Sequence, residues 1–329
     1  MRYDIDEIKK INSLPESLID FLNYLDVIKG KSPNTVNAYK ADLIMFFRFI
    51  KIYKGLWTER CEFEEVPIED IDNRIIRSIK LSDLYAFLSF TEKYRSNGTY
   101  ARARKVATLK SYFKYLSGKR KIIDENPALE LESPKISKRN PIYLTLTESK
   151  LLLNSLDENH KNYGRDYCIL TLFLNCGLRV SELCSIDISR IKEDTLTIVG
   201  KGNKERTVYL NKACLKAIDE YLKTRDSRKV PLEEKNFLFI SNKNRKISVR
   251  TVERLVKKYT MEAGLTKSKY TPHKLRHTAA TLMYKHGNVD IRSLQQILGH
   301  ENISTTQIYT HVDDEGLREA VKSNPLSEE

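Results

Sequence analysis

Six residues of this chain have side chains suited to one kind of chemistry: Arg179, Lys201, His273, Arg276, His300 and Tyr309. They lie in the strings Gly-Leu-Arg-Val-Ser-Glu-Leu (177–183), Gly-Lys-Gly-Asn-Lys-Glu-Arg (200–206), His-Lys-Leu-Arg-His (273–277), Leu-Gly-His (298–300) and Ile-Tyr-Thr-His (308–311). Five are cationic or can become so, and the sixth is a phenol nine residues after a Gly-His pair. Attack of a hydroxyl on a phosphodiester calls for such a set. The phosphate already carries one negative charge and gains a second in the pentavalent transition state. Fixed positive donors therefore stabilise the transition state more than the ground state.

Each position has a plainer reading when taken alone. Arg179 and Glu182, three apart on one helical face, can be a surface ion pair, or a bidentate phosphate grip whose guanidinium Glu182 holds in place. Thr271-Pro272 is a helix start, a capping Thr followed by Pro at the first helical position. It puts His273 and Arg276 in a first turn, where backbone N–H groups add positive potential for a phosphate. His273 and His277 are four apart, as in metalloprotease helices. Lys274 stands where that motif requires Glu, and no cysteine or acid cluster supplies further ligands, so His277 reads as a capping or packing residue. Gly299 stops a helix ending in Leu294, Ile297 and Leu298, and His300 follows the break. A lone Tyr on a short helix is ordinarily half-buried core, but its spacing from the Gly-His pair favours a nucleophile at Tyr309.

The elements that must position these groups are mainly helical. Leu18, Phe21, Leu22 and Leu25 mark one helix, ended by Lys-Gly-Lys at 29–31. Ser32-Pro33 starts another, carrying Val36, Tyr39, Leu43, Phe46, Phe47 and Ile50 at helical spacing. Helices are predicted at Leu81–Tyr94 and Thr99–Leu116. The latter turns Val106, Leu109, Phe113 and Leu116 inward and carries Arg102, Arg104, Lys105, Lys110 and Lys114, a basic face suited to a DNA backbone. Residues 51–80 read as irregular and acidic. A linker with two prolines and three basic residues spans Glu132 to Pro141. After it, Thr147 begins a helical pattern and Tyr167–Leu174 reads as a buried helix. Thr195–Val199 and Thr207–Leu210 read as strands flanking turn chemistry at 200–204, which places Lys201 where a hairpin starts to turn.

Composition is consistent with this chemistry. The chain has 329 residues, long enough for two domains, and a formal charge of +13 with a pI near 9.3, which predisposes it to polyanions. Its five cysteines are odd in number with no C-x-x-C spacing, which argues against a disulfide scaffold or a cysteine zinc site and fits a reducing compartment. The N-terminus shows no apolar secretory region, and the longest apolar run is too short to span a bilayer. A cytoplasmic location without membrane association is the expectation.

Together these strings resemble the tyrosine recombinase (phage integrase) family, and within it the Xer-like members. All six active-site positions occur in order, and Gly-Lys-Ser-Pro-Asn-Thr-Val-Asn-Ala-Tyr (30–39) with Asp42-Leu43 resembles the start of the family's N-terminal domain. The resemblance implies a mainly α fold with a small β-sheet: an all-helical, SAM-like core-binding domain over residues 1–132, a linker at 133–142 and a mixed α+β catalytic domain over 143–329. It implies Tyr309 as the nucleophile of a 3′-phosphotyrosyl link, Arg179, Arg276 and His300 on the non-bridging oxygens, Lys201 as the acid for the leaving 5′-oxygen, and His273 assisting proton transfer at the tyrosine. No cofactor or metal is implied. The implied partner is a double-stranded DNA recombination site, bound by four protomers across two DNAs, with room for a second recombinase or accessory protein. The apolar residues at 317–321 would pack into a neighbouring protomer. Residues 51–80 exceed the compact Xer-like length, and no arm-binding domain is expected before residue 12. The alternatives are a non-catalytic DNA-binding regulator and a type IB topoisomerase-like enzyme.

Overall fold

The computed structural model describes residues 13–135, 141–200, 205–266, 269–287 and 289–312, with residues 310–312 as backbone only. The chain divides into two compact units, Met1–Lys138 and Arg139–Glu329, each with its own hydrophobic core. The fold is mainly helical with one small antiparallel sheet. No described helix is long and apolar enough to cross a membrane. Lys201, the linker residues 136–140 and the apolar residues at 317–321 lie outside the described residues.

The N-terminal unit begins with α1 (Glu16–Asn23), which runs into a π-type turn at Tyr24–Ile28 and ends before Gly30 at φ +55°. Helix α2 (Pro33–Tyr53) starts where Ser32 Oγ accepts the Thr35 N–H at 3.3 Å. Helices α3 (Asn73–Arg77), α4 (Leu81–Lys93) and α5 (Thr99–Gly118) follow. The period of 3.6 residues brings Leu43, Phe46, Phe47 and Ile50 onto one buried stripe. There the Phe46 ring meets Phe87 and Phe113 edge-on at centroid distances of 5.2 and 6.1 Å.

Two expectations are corrected in this unit. Residues 51–80 are not an irregular insert: Val66, Ile68, Ile71, Ile76 and Ile79 are buried, and the buried Lys51 ammonium lies 2.8 Å from both the Pro67 carbonyl and Asp70. The acidic Glu62, Glu64 and Glu65 stay exposed, and their charge masked the sparse Val/Ile pattern beneath. Lys105 is not on the outer face of α5. It is 2% exposed, because it shares the inward stripe with Leu109, Tyr112 and Leu116. Asp42 meets it there at 2.9 Å, with Arg104 at 2.6 Å and the Thr108 hydroxyl at 3.1 Å on the same carboxylate. Arg102 pairs with Glu92 at 2.6 Å. Lys110 and Lys114 remain exposed.

In the C-terminal unit, α6 (Leu146–Asn154) opens with a reciprocal Thr145–Glu148 cap. The long helix α7 (Tyr163–Cys176) is buried along most of its length and stops at Gly177. Short α8 (Val180–Cys184) precedes β1 (Ile191–Lys192), β2 (Thr195–Val199) and β3 (Glu205–Tyr209), paired antiparallel in that order. Helices α9 (Lys212–Thr224), α10 (Val249–Glu262), α11 (Pro272–His286) and α12 (Ile291–Leu298) follow, then 3₁₀ turns at Ile303–Thr305 and Gln307–Val312. Helix α7 packs against both α9 and α11.

Candidate active site

The site is organised by the C-terminal end of α12. The last carbonyls of a helix lack intrahelical partners and form the negative end of its dipole. Here the carbonyls of Ile297, Leu298 and Gly299 accept from Arg206, from Arg276 at 2.6 Å and from Arg179 at 2.9 Å, respectively. Three guanidinia are thereby drawn to three consecutive carbonyls. Glu182, 2% exposed at its side chain, sits among the same three cations, at 2.7 Å from Arg179, 3.0 Å from Arg206 and 3.9 Å from Arg276. Burial pushes the Glu182 carboxyl up, but the Arg179 backbone N–H and the Arg206 and Arg179 charges outweigh it and leave it below the usual carboxylate range.

Local structure places each of these groups. Gly177 ends α7 in the left-handed region at φ +58°, and a Cβ there would lie 2.9 Å from Leu298 Cδ2. The chain can then turn so that the Gly177 carbonyl accepts from Arg276 at 2.7 Å. Arg179 is the N-cap of α8, and its backbone N–H donates to Glu182 at 2.8 Å. In β3 the two-residue alternation points Arg206 to the same side as the buried Val208, with Ile198 as its cross-strand partner. Gly299 turns the chain out of α12 at φ +63°, close against the Arg206 side chain. Arg179, Arg206, Gly299, His300 and Thr305 border a cavity of about 460 Å³.

The histidines and the phenol lie beside this cluster. Thr271 Oγ1 caps α11, and Pro272 occupies its first turn with the exposed His273. Arg276 is 4% exposed, and burial and Arg179 lower its pKa to about 10, which leaves it cationic at neutral pH. Tyr309 is buried with Ala280, Leu294 and Leu298, and its hydroxyl lies 2.7 Å from His277 Nδ1. His277 Nε2 lies 3.0 Å from His273 Nε2, the two rings edge to face at 4.4 Å. Burial raises the Tyr309 pKa to about 12, against the pull of Arg276. The phenol is therefore protonated at rest and must lose its proton as it attacks. Burial, with the charges of His273 and Arg276, lowers His277 to about 4. Burial, Arg276 and Arg179 do the same for His300, whose Nδ1 lies 2.9 Å from Thr306 Oγ1. Both rings are neutral near pH 7.

The structure thus brings Arg179, Arg276 and His300 together around the end of α12, and His273 near Tyr309 through an intervening ring. Two participants were not singled out from sequence. Arg206 falls between the turn expected at 200–204 and the strand expected from Thr207, whereas the strand begins at Glu205. His277 is expected from sequence to be a capping or packing residue, although its four-residue spacing from His273 already puts both rings on one face. Among the described residues no cluster of three or more His, Cys, Asp or Glu is arranged to hold a metal ion.

Residues 143–316 match the phage integrase family, and residues 18–68 match the phage integrase N-terminal SAM-like domain. The chain is 59% identical over 315 residues to tyrosine recombinase XerC of Caldanaerobacter subterraneus subsp. tengcongensis, covering 96% of this chain and 88% of that protein. It is 33% identical to tyrosine recombinase XerD of Listeria monocytogenes, covering 92% and 96%. The fold is shared with the XerH site-specific recombinase bound to a palindromic difH substrate, at a TM-score of 0.72 and 22% identity, covering 97% of this chain and 89% of that one. It is also shared with a lambda integrase dimer bound to a COC′ core site, at a TM-score of 0.64 and 18% identity, covering 94% and 81%. Geometry and similarity converge: this chain belongs to the phage integrase family and is a tyrosine recombinase.

Proposed function

We propose that the protein acts on a double-stranded DNA recombination site by attack of the Tyr309 hydroxyl on a phosphodiester, leaving a 3′-phosphotyrosyl link and a free 5′-hydroxyl. The observation that carries this reading is the placement of the Tyr309 phenol on a histidine pair beside a cluster of guanidinia that Glu182 and the end of α12 hold together. Arg179 and Arg276 each keep N–H groups beyond those used on carbonyls and Glu182, since a guanidinium carries five donors. These, with His300, would bind the non-bridging oxygens as charge builds on them. Lys201 would protonate the leaving 5′-oxygen, and His273 would assist at the tyrosine side. The covalent link keeps the energy of the broken phosphodiester, so rejoining needs no nucleotide cofactor.

The N-terminal unit would clamp the duplex with the basic side of α5. Lys110 and Lys114 are the residues best placed for the backbone, since Lys105 is internal and Arg102 and Arg104 hold acids. Four protomers on two sites, in the cytoplasm, would exchange strands, alone or with a second recombinase or accessory protein. Dimer resolution and the integration or excision of a mobile element use the same chemistry and differ in the DNA target.

The test is covalent trapping on duplexes nicked beside the cut, so that the cleaved end diffuses away. Wild type gives a slow-migrating adduct on a denaturing gel, and Tyr309→Phe gives none while still binding the site. An equal adduct from Tyr309→Phe overturns the assignment.

A further inference from the structure

The residue in contact with the Tyr309 hydroxyl is His277, not His273. Their separation of 2.7 Å is that of a strong hydrogen bond. His273 stands one step further out, 3.0 Å from the far nitrogen of the same ring, and is exposed. Two imidazole nitrogens at that distance require one N–H and one lone pair. If His277 Nε2 donates to His273 Nε2, His277 Nδ1 is left with a lone pair facing the phenol, whose O–H donates to it. One orientation of protons satisfies both contacts and leads from the buried phenol to the surface.

We propose that His277 is the general base for Tyr309, and that His273 receives the relayed proton. This rests on the reading of Tyr309 as the nucleophile. As the Tyr309 oxygen bonds to phosphorus, its proton passes to His277 Nδ1, and the proton on His277 Nε2 passes to His273 Nε2. The bond from phosphorus to the 5′-oxygen breaks, and that oxygen leaves with a proton from the general acid on the opposite side, the role given above to Lys201. One proton enters the histidine pair and one leaves the acid, so charge and atoms balance. On rejoining, the 5′-hydroxyl attacks and the chain runs in reverse. His277 is neutral near pH 7, so its lone pair is available. A phosphodiester bound beside Arg179 and Arg276 would partly offset the cations that weaken it as a base.

A merely structural role for His277 must be distinguishable. His277→Asn keeps an amide group near the position of Nδ1, so the phenol stays hydrogen-bonded, but it removes the base. Single-turnover adduct formation on the nicked duplex should slow by roughly 10²- to 10⁴-fold in this variant, with DNA affinity unchanged. Replacing Tyr309 with 3,5-difluorotyrosine, a more acidic phenol, should then restore most of the lost rate, because an acidic nucleophile needs less help from a base. His277→Ala should lose rate similarly and be rescued less, since orientation is lost as well. Wild-type rates in His277→Asn would overturn the proposal, as would a defect that the fluorinated phenol leaves unchanged. Tyr309→Phe in the same gel separates the two readings: an adduct in that lane removes the nucleophile assignment, whereas its absence with no effect at His277 removes only the base.

Discussion

Replacing Glu182 by Gln removes one charge from among three guanidinia. Glu182 lies 2.7, 3.0 and 3.9 Å from Arg179, Arg206 and Arg276, with its side chain 2% exposed. A unit pair near 4 Å is worth about 4 kcal/mol at an effective dielectric constant of about 20. Three such attractions are opposed by the desolvation of the carboxylate and by repulsion among the arginines, which the substitution leaves unopposed. Removing one member of a buried charged cluster costs about 3–5 kcal/mol, and Gln keeps an acceptor oxygen, so about 3 kcal/mol is expected. For a unit of this size each kcal/mol moves the unfolding midpoint by about 2–4 °C, giving a drop of roughly 6–12 °C. Circular dichroism would follow unfolding of the whole chain. Trp57, the only Trp, lies in the N-terminal unit, so its fluorescence serves as the control that assigns the loss to the C-terminal unit. The sign with pH is a second check. The Glu182 pKa is lowered in the folded state, so its stabilisation is present above the ordinary carboxylate pKa and is lost as pH falls through the folded value. The variant should lack that part of the acid-side loss. A change below about 1 kcal/mol, with the acid-side slope unchanged, would refute the idea that Glu182 holds the arginines together.

Gly177→Ala forces a left-handed residue at φ +58° and sets a methyl 2.9 Å from Leu298 Cδ2. A loss of about 1–3 kcal/mol in denaturant unfolding is expected, and an unchanged midpoint would contradict it. On α5 the lysines should separate into two behaviours. Lys105→Ala leaves Asp42 buried with a poorer partner and should lower stability by about 3 kcal/mol. Lys110→Ala combined with Lys114→Ala should leave stability intact and reduce the steepness of the salt dependence of DNA binding by about two ions. Equal salt slopes would remove these lysines from the DNA face.

Much of this protein was readable along the chain, for a definite reason. Helical periods, caps and glycine stops are local, and they were sufficient to find α2, α4, α5, the end of α7 at Gly177 and the start of α11 at Thr271-Pro272. The order of Arg179, His273, Arg276, His300 and Tyr309 was likewise a property of the sequence. What sequence could not decide was which groups meet. Lys105 can stay on the inward stripe of α5 because Asp42, 63 residues away, pairs with its ammonium. Residues 66–79 fill a core whose other walls are α2, α4 and α5. Arg206 joins the site because β3 begins two residues before its β-branched run and its alternation turns that side chain inward. His277 touches Tyr309 across 32 residues of chain, a contact that no local spacing encodes. Local propensity acts over a few residues, whereas charge pairing and proton transfer act over a few ångströms, and only the packing of α11, α12 and the final 3₁₀ turn converts the first into the second.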